Sequence, residues 1–197
     1  HNVVAVPGIS DPLITDYLVD MAEERKDTLA IIDIENDYKP RFELLSTDIA
    51  TNRTALPDVD TAVTEMKTRG FDSSYGAAYY PAVQIRDRGS NTVLYVPATV
   101  AAMAAFGYTE RVAEPWFAPA GFNRGGLSDG STGIVATGVS KRLTSKERDD
   151  LYGVNVNPIA QFPQEGVVIF GQKTLQASAS ALDRVNVRRL LIFLKKE

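Results

Sequence analysis

The stretch FPQEGVVIFGQKTL (162–175), followed by the spacer QASASA (176–181) and LDRVNVRRLLIFL (182–194), decides how the chain is read. Val167, Val168, Ile169 and Phe170 form a continuous apolar run closed by Gly166 and Gly171, the pattern of a buried strand. Downstream, Val187, Leu190, Leu191 and Leu194 recur at helical spacing, and Asp183 stands where a cap belongs. Arg188 and Arg189 sit together beside that stripe. A core strand feeding a helix that carries an arginine pair is a piece of an α/β layer, and nothing in it is reactive.

Working outward, residues 159–162 predict a second strand, and the turn at 163–166 makes the two a hairpin. Thr144 and Glu147 form a capping box for a short helix ending at Gly153. At the other end, residues 2–6 (NVVAV) read as a strand and Asp11-Pro12 as a helix start. Ile14, Tyr17, Leu18, Met21 and Ala22 then share one helical face, and residues 29–34 (LAIIDI) form a buried strand. Such a strand-helix-strand unit is a right-handed crossover in a parallel sheet. Asp58 caps a further helix that Gly70 ends. Residues 75–80 and 82–86, broken by Pro81, are extended, with packing in the sheet as the plain reading of Tyr79 and Tyr80 and an aromatic binding site as the sharper one. A turn at 89–91 returns the chain as a strand at 92–96, and an alanine-rich helix runs from Pro97 to Gly107. The fold class is therefore α/β: a mixed β-sheet flanked by helices, with hairpins in the middle and near the C-terminus.

Composition narrows the function. The balance of 21 basic and 25 acidic residues, a net charge of -4, leaves no electrostatic footprint for nucleic acid. No apolar run is long enough for a membrane-spanning helix. The chain has no cysteine, and its one histidine is residue 1, so disulfides, thiolate chemistry, a Ser-His-Asp triad and a multi-histidine metal site are not available. Neither GxxxxGK[ST] nor GxGxxG occurs. Asp33, Glu35 and Asp37 cluster at a strand end, with solvated loop charge as the plain reading and a metal site as the sharper one. They and Pro7-Gly8 mark where an α/β enzyme or small-molecule binder would place its ligand.

The segment EPWFAPAGFNRGGL (114–127) carries two prolines, three glycines and three large aromatic side chains. It cannot be a regular helix or a central strand. Such a loop buries its aromatics against its own domain or against another subunit.

Several of these segments, in this order, resemble contractile tail sheath proteins: YGAAYYPAVQIRD (75–87), LYVPATVAAMAAF (94–106), EPWFAPAGFNRGGL (114–127), LTSKERDDLYGVNVNPI (143–159), and GVVIFGQKTL followed by DRVNVRRL. The loop version is most similar to that of large myophages. The resemblance implies one sheath body domain over 1–197, part of a larger polypeptide whose further domain and terminal arms link neighbouring subunits. It implies partners of three kinds, namely other sheath subunits, the tail tube and the baseplate, and it implies a virion component assembled in the host cytoplasm. It implies no cofactor, no metal, no nucleic acid, no membrane insertion and no enzymatic activity. Without the arms, the chain alone is expected to be monomeric. The residues expected at subunit interfaces are Trp116, Phe117, Phe122, Asn123 and Arg124 on the loop, and Arg188 and Arg189 on the last helix. For that arginine pair, an internal role inside the domain stands beside the interface role.

Overall fold

Local chemistry starts the first helix. Asp11 accepts a hydrogen bond from the Leu13 N–H (2.9 Å), and Pro12 occupies the first helical position, where its missing N–H is not needed. Helix α1 (Pro12–Arg25) therefore begins cleanly and joins strands β1 (Val3–Ala5) and β2 (Leu29–Ile32), which pair in parallel. The computed structural model describes residues 2–34, 58–87 and 89–196. Helix α2 (Val59–Arg69), stopped by Gly70 in the left-handed region, leads to β3 (Gly76–Tyr80). Then come β4 (Val83–Arg86), β5 (Val93–Val96), α3 (Ala98–Val112) and β6 (Ala136–Val139). They are followed by α4 (Ser145–Gly153), β7 (Val156–Phe162), β8 (Gly166–Ile169) and α5 (Val185–Leu194).

The main sheet has the order β1-β2-β3-β7-β8. Its first four strands run parallel, and β8 returns antiparallel to β7 as the expected hairpin. A second sheet, β5-β4-β6, is antiparallel throughout. Every residue of β2 and β3 is buried, as expected for parallel strands covered on both faces. The two covers can be told apart on β3. A Cβ placed on Gly76 would meet Val19 of α1 at 3.1 Å and Leu175 at 2.7 Å, whereas Tyr79, three residues on, meets Phe106 of α3 edge to face at 6.4 Å. An odd separation along a strand means opposite faces, so α1 and α3 lie on opposite sides of the sheet. Tyr79 and Tyr80 are fully buried, as their place in the sheet implied.

Three buried polar side chains tie this core together. Asn157, in β7, donates to the carbonyls of Ala78 (3.1 Å) and Lys173 (2.8 Å) and accepts from the Lys173 N–H (2.6 Å), so the chain leaving β8 is fastened across the sheet. Asp33, one residue past β2, accepts from the Gly8 N–H (2.8 Å), the Thr99 N–H (3.1 Å) and the Thr99 hydroxyl (2.8 Å). Pro97, at the cap position of α3, has no side chain for capping, and the carboxylate of Asp33 supplies that role from a distant strand. Arg189 is the third, described below.

Four sequence expectations shift. Helix α3 runs through Gly107 to Val112. Helix α5 starts at Val185, and Asp183 lies in a preceding 3-10 turn rather than at its cap. On α1 the core face is Thr15, Leu18, Val19 and Ala22, leaving Ile14 and Tyr17 exposed together with Leu13. On α5 the buried residues are Val185, Arg188, Arg189 and Ile192, while Leu194 is exposed. The last two shifts share a cause. Periodicity fixes the angle between side chains on a helix, but not which angle faces the sheet when apolar residues occur on more than one side. Glu35 and Asp37 lie outside the described residues.

Candidate assembly surface

The segment 114–127 is held down by backbone, and that decides which of its side chains are buried. The Gly121 N–H donates to the Ile169 carbonyl (2.8 Å), the Ile169 N–H to Gly125 (2.9 Å) and the Leu127 N–H to Val167 (2.9 Å). These bonds lay the loop along the outer edge of β8 as an irregular extra strand. The approach is so close that a Cβ on Gly125 would sit 2.7 Å from the Ile169 carbonyl oxygen and 2.9 Å from the backbone at Ala120 and Gly121. Only glycine fits there. Ser128 continues the seam, accepting from the Val167 N–H (2.9 Å) and donating to the Ala136 carbonyl (2.8 Å). The loop thus bridges the edge of the first sheet to β6 of the second.

On this frame the aromatic residues part ways. Trp116 is half-buried and packs on Phe193 of α5, with ring centroids 4.8 Å apart. Phe117 is exposed, with the Arg124 guanidinium 5.1 Å from its ring centroid and Arg124 Nε donating to the Ala118 carbonyl (3.0 Å). Asn123 is exposed. Phe122 is 51% exposed and completes a triangle with Phe162 and Phe170, at centroid separations of 5.3, 5.8 and 5.3 Å. Arg148 of α4 lies 5.7 Å from the centroid of Phe162. Phe162 was not singled out in the sequence, and Phe170, expected as the last residue of a buried strand, lies just past β8 and is 44% exposed. Phe162 ends β7 and Phe170 directly follows β8, and their meeting with Phe122 depends on the backbone pairing just described.

The arginine pair of α5 faces inward. Arg189 is fully buried, its guanidinium 4.7 Å from the ring centroid of Phe106 and paired with Glu110 on α3. Burial pulls its pKa down from the ordinary arginine value, and the Glu110 carboxylate opposes that shift. Arg188 is nearly as buried, stacked 3.9 Å from the centroid of Tyr75 and donating to the Ser74 hydroxyl. Desolvation lowers its pKa too. In the single chain both arginines have the internal role. Of the seven residues named from sequence, then, Phe117, Phe122, Asn123 and Arg124 lie at the surface, Trp116 anchors the loop, and Arg188 and Arg189 lock α5 to the core.

The alternative ligand position fares differently. Pro7 and Gly8 do come next to Asp33, but the carboxylate is 1% exposed and its oxygens are taken by the three donors at Gly8 and Thr99. Burial raises its pKa above the ordinary carboxylate value despite those bonds. It is spent on holding α3.

No protein-family model matches the chain. Curated relatives do. A tail sheath protein of Vibrio phage KVP40 is 45% identical over 89 residues, covering 45% of this chain and 12% of the relative. Tail sheath proteins of Enterobacteria phage T4 and Salmonella phage ViI are 31% and 27% identical over 55% and 89% of this chain, covering 16% and 25% of the relatives. The chain therefore spans a quarter or less of the length of these proteins. Among solved structures, the anti-feeding prophage baseplate contains a chain that matches 99% of this one with a TM-score of 0.67 at 20% identity, over 43% of its own length. The anti-feeding prophage helical sheath in its contracted state matches 99% with a TM-score of 0.63 at 20% identity, over 44%. These likenesses establish a shared fold. In sequence over much of its length, and in fold over nearly all of it, the chain is similar to one segment of the contractile tail sheath proteins.

Proposed function

We propose that residues 1–197 are the body domain of a contractile tail sheath subunit, a structural component rather than an enzyme. Copies of the complete polypeptide polymerise as a helical sleeve around a tail tube, anchored at a baseplate, and contraction drives the tube through the host envelope. The observation that carries this is the agreement of two comparisons: three phage relatives bear the name tail sheath protein, and the fold matches a contracted sheath subunit over 99% of the chain. A domain whose elements are tied together by the bonds of Asn157 and Asp33 and by the Arg189–Glu110 pair is suited to move as a rigid body between two lattice packings, which is how such a sleeve stores and releases energy. On this reading the sleeve belongs to the virion tail and is assembled in the host cytoplasm. The chain alone is monomeric at ordinary concentration, since linking segments elsewhere in the polypeptide supply the tight contacts.

The test is negative-stain electron microscopy of the complete gene product at high concentration beside the 197-residue chain. Long tubes from the first and single particles from the second are expected. Dispersed particles from both would overturn the sheath reading.

A further inference from the structure

Two exposed apolar patches are built from different elements of the domain, and their charged surroundings have opposite sign. The first is on the outer side of α1, the helix that covers one face of the main sheet. Leu13 is 83% exposed, Tyr17 71% and Ile14 47%, and their spacing of one and four residues puts them on one face. The charges along this helix are Asp16, Asp20, Glu23 and Glu24 against a single Arg25, which is itself paired with Asp27 (3.0 Å). The neighbouring Arg69 of α2 is committed to Glu65 (3.3 Å) and to Asp16. The second patch is the Phe122, Phe162 and Phe170 triangle at the β8 edge. Its flanking charges are Arg148 over Phe162, Arg142 bonded to Gln161 (3.2 Å) and Arg124 on the same loop, with Glu165 as the acid in the hairpin turn.

We infer that these patches are the two halves of one head-to-tail contact between copies of this chain, the α1 face of one copy seating on the phenylalanine triangle of the next. The identity of the partner rests on the sheath-subunit reading. The pairing itself rests on geometry and charge. An acidic helix with an apolar stripe is complementary to an arginine-flanked aromatic cluster and repels a second acidic helix, so neither patch is suited to meet its own kind. The first patch is on a helix covering one face of the main sheet, and the second is at the β7–β8 hairpin and its neighbouring loop, so the two share no residue. Distinct, non-overlapping faces that fit one another do not close into a two-fold dimer. They propagate, and an open series that turns about an axis is a helix.

The absence of cysteine makes trapping straightforward. The double variant Tyr17→Cys/Phe122→Cys, both substitutions at exposed positions, is oxidised at high protein concentration and run without reductant. A ladder of dimers, trimers and longer species is expected, lost in the control Tyr17→Cys/Ala179→Cys, whose second cysteine is exposed elsewhere. Mixing the two single variants should give the mixed dimer in excess over both self-dimers. Adding Asp20→Arg or Arg124→Glu alone should weaken the ladder, and adding both should restore it. Self-dimers of Tyr17→Cys in excess, or equal ladders from test and control, would overturn the contact. The same cysteine pair is then placed in the complete gene product. Tubes that form while the pair stays unlinked, in tubes and in the short chain alike, would sink this contact and leave the sheath reading standing. A ladder without tubes would do the reverse.

Discussion

Two clusters in this molecule use the same chemistry, arginine against phenylalanine, with opposite outcomes. At the seam of α3 and α5, Arg189 lies on Phe106 with no solvent exposure and Glu110 as its counter-ion. At the β8 edge, Arg148 lies over Phe162 in a triangle whose other two rings are each about half in water. The first contact is worth more because it is desolvated, and it is also obligatory, because a buried guanidinium without a partner is costly. The second contributes little to folding and leaves its aromatic faces available. The difference separates what holds the domain rigid from what it can offer a neighbour.

The sharpest way to break that comparison is to cut the buried arginine. Arg189→Ala should cost ~3 kcal/mol of stability, by removing the packing against Phe106 and leaving a cavity at the α3–α5 seam. Arg189→Met should recover most of the loss, since it fills the volume and lets Glu110, 40% exposed in the present pair, turn to water. Urea unfolding midpoints of the two variants check this. Equal losses would mean that charge, not packing, dominates at the seam.

Asp33 tests the core from the other side. Its pKa is raised by burial, so the folded state binds the proton more tightly than the unfolded chain. The stability this confers is fully present below the ordinary carboxylate pKa, about 3.9, and is lost as pH rises through the higher folded value. The advantage of wild type over Asp33→Asn should therefore shrink as pH rises above about 4. Denaturant titrations at several pH values would show it. An advantage that grows with pH would mean that the Gly8 and Thr99 donors outweigh desolvation.

How far these clusters could be read from sequence follows from how local their causes are. The Thr144–Glu147 capping box closes through both of its hydrogen bonds, because every atom involved lies within one helical turn. The β7–β8 hairpin and the β1–α1–β2 crossover were legible for the same reason, the signals being short-range apolar runs and turns. The inward turn of Arg188 and Arg189 was not, because the rings that receive them, Tyr75 and Phe106, lie far away in sequence. The loop could be recognised as a carrier of aromatic side chains. That Trp116 goes in and Phe122 stays out depends on hydrogen bonds to β8, which no property of residues 114–127 alone specifies.

The smallest predicted effect is the most informative about the outer cluster. Phe122→Ser removes one ring of the triangle, but that ring is 51% exposed and its loop is held by the backbone bonds of Gly121, Gly125 and Leu127. Folding stability should change by no more than ~0.5 kcal/mol, as for surface sites generally. A larger loss, seen as a lowered thermal midpoint, would place Phe122 among the residues that hold β8, and the two clusters would then differ in degree only. If stability holds, a ring conspicuously half in water contributes almost nothing to the fold that displays it. Its place in the sequence then has to be explained by what binds there.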